Sequence, residues 1–141
     1  MTYVLFHEPQ PIERLGCWQR KLPPFTHVAG YSGLGHFFLH NAQTSEFAVC
    51  HPFRQAYKSY GVFESVAAFE STVLQDAGFA MYVLRPSHQA AIAERLGALG
   101  QDEVYIPRPY PFLGGTEAPE SYEKGDFWVF AEIVGMCHGF A

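Results

Sequence analysis

The sequence predicts a single α+β domain in which a mainly antiparallel sheet packs against two or three helices. A chain of 141 residues with 48% apolar and 16% aromatic residues can bury one core without disulfide bonds. Two apolar runs flank a polar turn, which indicates a β-hairpin. Two later stretches repeat apolar residues at helical spacing, and the order of elements is not a regular βαβ series.

The first 27 residues are predicted to form an N-terminal extension that packs on the main domain, residues 28–141. The extension is rich in proline and has no clean hydrophobic period. Three apolar residues at helical spacing allow one short helix, which a pair of prolines ends: Leu15, Trp18 and Leu22.

The hairpin is predicted over residues 35–51. Apolar residues at 35–40 and 47–51 are typical of strands, and Asn41–Glu46 between them is a polar turn. Glycines precede the hairpin at positions 30, 33 and 35. They predict a bend and not a phosphate-binding loop, because such a loop has to open into the N-terminus of a helix.

Two helices are predicted after the hairpin. The first spans residues 65–75 with Ser65 as its N-cap. The second begins at Pro86, a residue suited to the first helical turn, and ends at one of the glycines after Leu96. Residues 79–84 between the helices are apolar and predict a short buried strand or a connector.

The last third of the chain is predicted to contain two strands and a stiff loop. Val104–Ile106 forms a short strand that Pro107 stops, and Pro109–Gly115 forms the loop. Phe127–Val134 is rich in aromatic and β-branched residues, which favours a final strand.

Acidic residues are concentrated in the second part of the chain. Residues 1–58 carry five Lys or Arg against three Asp or Glu, and residues 59–141 carry four against eleven. Nucleic-acid binding requires clustered basic residues, so this balance argues against it and favours a basic protein partner. The sequence has no apolar run of about 20 residues and no secretory signal, so we expect a cytoplasmic protein that does not enter a membrane.

The sequence does not predict an enzyme, a metal or a cofactor. The three cysteines are an odd number at wide spacing and form no CxxC pair. Cys50 and His51 are adjacent, so on a strand they point to opposite faces and cannot form a dyad. His36 and His40 would lie about 13 Å apart along one strand, too far apart to hold one metal.

Four acids at intervals of three follow Gly114-Gly115 and precede the predicted final strand: Glu117, Glu120, Glu123 and Asp126. We expect them on an exposed loop. One interpretation is an ordinary solvated loop. The other is a docking patch for a basic protein surface, with Tyr110 or Tyr122 beside it as an aromatic anchor.

Several short motifs occur in an order that resembles a known bacterial family. They are Gly30-Tyr-Ser-Gly-Leu-Gly-His-Phe-Phe-Leu39, Tyr60-Gly-Val-Phe63, Leu96-Gly-Ala-Leu-Gly100, Glu103-Val-Tyr-Ile-Pro107, Leu113-Gly-Gly115 and Lys124-Gly125. Together, over about residues 28–136, they resemble the C-terminal domain of type VI secretion DNase-immunity proteins, the partner of GAD-like domains. The resemblance implies a non-enzymatic α+β protein that binds a cognate toxin and blocks its active site.

The sequence therefore favours an immunity protein that binds a secreted antibacterial toxin, a type VI effector nuclease with a basic surface. Two alternatives stay open. One is a small-molecule enzyme in which the hairpin histidines His36, His40 and His51 line a pocket. The other is a non-catalytic adaptor module. The sequence sets no oligomeric state.

Overall fold

The computed structural model places the predicted hairpin at the centre of a five-stranded antiparallel sheet. Strand β3 (Phe37–His40) pairs with β4 (Glu46–His51). Asn41 shapes the turn between them, because its side-chain oxygen accepts hydrogen bonds from the backbone N–H groups of Gln43 (2.9 Å) and Thr44 (3.3 Å). The hairpin prediction is confirmed.

Three further strands complete this sheet, and each pairs with its neighbour along the chain: β1 (Tyr3–Pro11), β2 (His27–Ser32) and β5 (Ala56–Val62). A separate two-stranded antiparallel sheet joins β6 (Glu103–Pro107) to β7 (Tyr122–Asp126). The structure describes residues 1–140, and their architecture is α+β, as predicted. Ala141, the last residue of the predicted main domain, lies outside the described residues.

The predicted N-terminal extension contributes directly to the sheet and to its core. Strand β1 forms one edge of the sheet, and the chain then continues into a 3-10 helix, Ile12–Lys21, which bends at Gly16 (φ 64). Trp18 on this helix is fully buried, and its indole N–H donates a 2.8 Å hydrogen bond to the carbonyl of Ala131.

Helices cover both faces of the large sheet. Side chains alternate along a strand, so Phe37 and Leu39 of β3 pack toward the 3-10 helix and α4 (Phe127–Cys137). Phe38 points the other way and packs toward α1 (Val66–Phe69). Because both faces are covered, the central strands consist almost entirely of buried residues.

The two predicted helices are present, and the segment between them is helical as well. The hydroxyl of Ser65 caps α1 by accepting from the N–H of Ala68 (3.0 Å), as predicted, and the helix continues as a π-helical turn to Leu74. The second predicted helix is α3 (Pro86–Leu96). It ends where Gly97 takes a positive φ of 86°.

Residues 79–84, predicted as a strand or connector, form helical turns instead. The carboxylate of Asp76 accepts from the N–H of Phe79 (3.0 Å) and so starts α2 (Ala77–Phe79). The helix widens into a π-helical turn over Ala80–Leu84. An N-cap three residues before an apolar run is a helix signal that outweighs the run's strand character.

The prediction of a final strand over Phe127–Val134 is wrong, because these residues form the first part of α4. Two features favour the helix. The carboxylate of Asp126 accepts from the N–H of Val129 (2.9 Å), which satisfies a free donor of the first turn. The buried residues also recur at helical spacing and not at alternate positions: Phe127, Phe130, Ala131 and Val134.

Over residues 1–140, every helix is too short or too polar to cross a lipid bilayer. The longest α-helices, α3 and α4, have 11 residues each, whereas a helix that spans the hydrocarbon core needs about 20.

Candidate functional site

Two of the four predicted docking acids are paired with arginines. Glu117 forms an ion pair with Arg85, with 2.6 Å between the carboxylate oxygen and the guanidinium nitrogen. Glu123 lies 3.4 Å from the guanidinium of Arg108. Both pairs are largely exposed to solvent, so each contributes little to stability. Their charges are nevertheless partly neutralised.

The other two acids have different surroundings. Glu120 is exposed on the short 3-10 turn Pro119–Ser121 and has no ion-pair partner among the described residues. Asp126 caps α4, and so it has a structural role in addition to its charge. The expectation of a single exposed loop is wrong in part: Glu117 and Glu120 lie outside the strands, but Glu123 and Asp126 belong to β7.

The two tyrosines predicted as aromatic anchors are buried. Tyr110 is 5% exposed and packs against Phe53 and Phe112. Tyr122 is 3% exposed, and its hydroxyl lies 3.1 Å from Nε2 of His88. Burial raises the pKa of Tyr122 to about 12. Neither ring offers much surface to a partner in this structure.

Two of the three hairpin histidines come together at one end of the sheet. His36 precedes β3 and His51 ends β4, and their rings meet at right angles with centroids 4.9 Å apart. His40 lies at the other end of β3, where its ring stacks on Phe47 at 4.4 Å. The three histidines therefore do not share a pocket. His36 and His51 do share one, and His40 lies outside it.

His36 and His51 line a cleft of about 280 Å³. Its walls are the end of the large sheet, the helical turn over Ala80–Leu84 and the segment that joins β6 to β7. The apolar lining residues are Leu34, Pro52, Phe53, Val83, Pro107, Pro111 and Phe112. The polar ones, besides the histidines, are Arg54, Tyr82, Arg85, Glu117 and Tyr122.

Left-handed backbone conformations occur at Arg85 and at the residue that follows Arg54. Arg85 itself has φ 51 at the junction between the π-helical turn and α3. Gln55, which follows Arg54, has φ 54 and ends the short 3-10 turn before it. Non-glycine residues rarely adopt this conformation, and those that do cluster at functional sites.

The Ser32 hydroxyl determines which ring nitrogen of His36 carries the hydrogen. The hydroxyl oxygen of Ser32 accepts from the N–H groups of Leu34 (3.2 Å) and His36 (3.0 Å). Its own hydrogen is then free to point at Nδ1 of His36, 2.6 Å away. Nδ1 is therefore an acceptor, and Nε2 carries the ring hydrogen.

Both cleft histidines are neutral near pH 7. Burial, followed in order of effect by His51, Arg54 and Arg85, lowers the pKa of His36 to about 3. Burial and the charge of Arg54 also lower the pKa of His51. The positive charges of the cleft thus come from its arginines.

Two of the residues that line the cleft have exposed aromatic side chains. Tyr82 is 80% exposed and Phe112 is 37% exposed, and both also line the cleft. Met81 and Leu113, their neighbours in sequence, are 67% and 56% exposed. Sequence reasoning missed Tyr82, because the apolar run that contains it was interpreted as a buried strand or a connector. We call Tyr82 and Phe112 the cleft rim.

Comparison with known proteins gives a fold but no family. No protein-family model matches the sequence, and no curated protein does. A solved structure with a similar fold is the crystal structure of Atu4351 from Agrobacterium tumefaciens, with a TM-score of 0.63 and 16% sequence identity. The match covers 94% of this chain and 66% of Atu4351, so this chain spans just under two thirds of that protein's length. At this identity the match shows a shared fold alone.

Proposed function

We propose that this protein is an immunity protein that binds a cognate type VI effector nuclease and neutralises it by covering its active site. The order of motifs that resembles DNase-immunity domains is the basis of the proposal. The structural observation that supports it best is the cleft rim, two exposed aromatic side chains at a concave site.

The cleft rim has the composition of a protein-binding surface. Tyr, Phe, Met and Arg are enriched at the centres of protein interfaces, and a few such residues supply most of the binding energy. Tyr82 and Phe112 line one cleft and are 80% and 37% exposed. These rim aromatics can serve the anchoring role that the sequence predicts for Tyr110 or Tyr122.

The acids near the rim suit a basic partner. Glu120 is exposed on the segment that also carries Phe112, and Glu117 lies at the cleft itself. A nuclease has to offer a cationic groove to the phosphates of its substrate. Carboxylates held beside an aromatic anchor would compete for that groove and would accelerate association with it.

The test is to express the gene adjacent to this protein's own, with and without this protein. We expect the adjacent product to be toxic alone, harmless when co-expressed, and bound to this protein after purification. A neighbouring product that is harmless alone, or that does not bind, contradicts the proposal.

Two variants test which residues make the contact. Tyr82→Ala should weaken toxin binding at least about tenfold, as the loss of an interface hot spot does. Val62→Ala, at a 68% exposed residue of β5, is the matched control and should leave affinity unchanged. Equal effects of the two substitutions would remove the cleft rim from the interface.

The acids are tested by association rates. Glu120→Lys/Glu123→Lys should slow association with the toxin and make it less dependent on salt, because the electrostatic attraction is weakened. The control is Glu13→Lys/Glu64→Lys, which makes the same change in net charge at exposed residues that do not line the cleft. If both double variants associate equally fast, the segment takes no part.

A small-molecule enzyme is the second candidate, and one observation favours it. His36 and His51 converge in a cleft with two arginines and a carboxylate, the kind of constellation that acid–base chemistry uses. Loss of turnover in His51→Phe, with unchanged stability and with His40→Phe still active, would support it. The enzyme hypothesis no longer includes His40, which lies outside the cleft.

A further inference from the structure

We propose that the cleft binds a small organic anion, whose carboxylate or phosphate group lies between Arg54 and Arg85 and displaces Glu117. This inference names a ligand class for the second candidate function. It does not depend on the toxin proposal, because the ligand occupies the interior of the cleft and the toxin would contact the rim.

The charge of the cleft favours an anion. Two guanidinium groups line it, and both lie close enough to His36 to lower the pKa of that ring. Glu117 is the one carboxylate among the lining residues, and it is held by Arg85. Arg54 has no ion-pair partner in residues 1–140. The cleft therefore holds one positive charge more than it needs for internal pairing.

Hydrogen-bonding groups of the cleft are also unused. The hydrogen on Nε2 of His36 has no acceptor among the described residues, and neither nitrogen of the His51 ring makes a hydrogen bond to them. A neutral imidazole N–H and two guanidinium groups are the donors that an oxyanion accepts from. Because Ser32 fixes the His36 tautomer, that donor is in place before a ligand arrives.

The remaining walls indicate that the anion carries an apolar part. Leu34, Phe53 and Val83 line the cleft beside the charged groups. Its volume of about 280 Å³ corresponds to about nine water molecules, more than a free phosphate ion displaces. The ligand class is thus a small aromatic or aliphatic acid, or a phosphate monoester.

Glu117 occupies the anion position in the absence of a ligand. Its carboxylate contacts Arg85 at 2.6 Å, but the two side chains are 49% and 37% exposed. An ion pair with this exposure is weak, so a ligand with several donors around it can replace it. Removal of the Glu117 charge should therefore strengthen binding of the anion, because it frees Arg85.

The test titrates the full chain with phenyl phosphate, benzoate and inorganic phosphate, followed by calorimetry and by amide chemical shifts. We expect phenyl phosphate or benzoate to bind more tightly than inorganic phosphate and to shift cleft residues. Arg54→Gln and Arg85→Gln should each weaken binding at least about tenfold, the effect of losing a charged hydrogen bond. Glu117→Gln should strengthen it about threefold or more.

Arg20→Gln, on the exposed side of the 3-10 helix and outside the cleft, is the control and should bind as the wild type does. A preference between phenyl phosphate and benzoate identifies the oxyanion. Failure of both probes to bind, or weaker binding by Glu117→Gln, overturns the proposal. The same variants are tested for binding to the product of the adjacent gene. Anion binding without binding of that product rejects the immunity function alone. Binding of that product without anion binding rejects the anion site alone.

Discussion

Ser32 holds the His36 ring through a 2.6 Å hydrogen bond, and Ser32 is itself fully buried. Its hydroxyl oxygen also accepts from two backbone N–H groups, so one side chain satisfies three polar groups of Leu34 and His36, two residues that line the cleft. Ser32 thus sets the orientation of the His36 ring in the cleft, and sequence reasoning did not single Ser32 out.

Ser32→Ala should lower the free energy of unfolding by about 1–3 kcal/mol, because it leaves buried polar groups without partners. Urea denaturation measures the change. Ser71→Ala is the control, since the Ser71 hydroxyl is exposed and donates only to the carbonyl of Ala68, and it should cost less than about 0.5 kcal/mol. A Ser32→Ala protein as stable as the control would show that the hydrogen bonds contribute nothing.

Acid should destabilise the fold through its neutral histidines. The pKa of His36 falls from its ordinary value of 6.5 to about 3 on folding, so above pH 6.5 neither state binds this proton. Between those two values the unfolded chain takes up a proton that the folded chain does not. Stability should therefore fall with decreasing pH, by up to about 1.4 kcal/mol per pH unit for this group.

The lowered pKa values of His51 and His40 add to this effect in the same direction. Urea denaturation at pH 7.5, 6 and 5 measures it. His36→Gln should flatten the profile, whereas His7→Gln, at an exposed position of β1, should leave the slope unchanged. A stability that does not change between pH 7.5 and 5 contradicts the prediction.

Gly135→Ala should be strongly destabilising, because helix α4 approaches the 3-10 helix most closely there. A Cβ at this position would lie 2.5 Å from the sulfur of Cys17 and 3.0 Å from the indole nitrogen of Trp18. We expect a loss of about 1–3 kcal/mol in the free energy of unfolding. Met136→Ala, at the exposed next residue, should change it little, and equal losses would show that the contact is not tight.

Asp126 allows the helix cap to be separated from the acidic charge. Asp126→Ala should cost about 1 kcal/mol of stability, because the N–H of Val129 loses its acceptor, while Asp126→Asn keeps the cap. If the charge contributes to toxin association, both variants should associate more slowly, and only Asp126→Ala should unfold at lower urea. Identical stabilities would mean that the cap is dispensable.

Local signals in the sequence were sufficient for part of the fold. The turn residue Asn41, the cap Ser65 and the helix-starting Pro86 each act within a few residues, and the elements they mark are present. Strand β1 was not predicted, because it carries two prolines and lacks alternation. Its pairing with β2 depends on a partner more than 15 residues away.

The error at α4 has a similar origin. Aromatic and β-branched residues favour strands by propensity, but burial on one helical side and the cap at Asp126 decide the outcome. The spacing of Phe127, Phe130, Ala131 and Val134 was visible in the sequence and was the better signal.

The cleft could be predicted only in part. Alternation in a hairpin places His36 and His51 on one face, and antiparallel pairing brings them together at its open end. Arg85 and Glu117 are 32 residues apart and reach the cleft from elements whose packing is long-range. A local sequence pattern cannot predict a contact between residues so far apart. The arginines were therefore not among the predicted site residues.

The contact between the 3-10 helix and α4 joins residues about 115 positions apart, as the hydrogen bond from the Cys17 N–H to Glu132 shows. Strands β2 to β5 of the large sheet, by contrast, form a succession of neighbouring hairpins, each closed over a short loop. During synthesis the hairpins can therefore form long before α4 exists. Until α4 leaves the ribosome, Tyr31 and Phe37 lack the Phe127 ring that packs on both of them, so the nascent chain exposes aromatic surface that its last helix later covers.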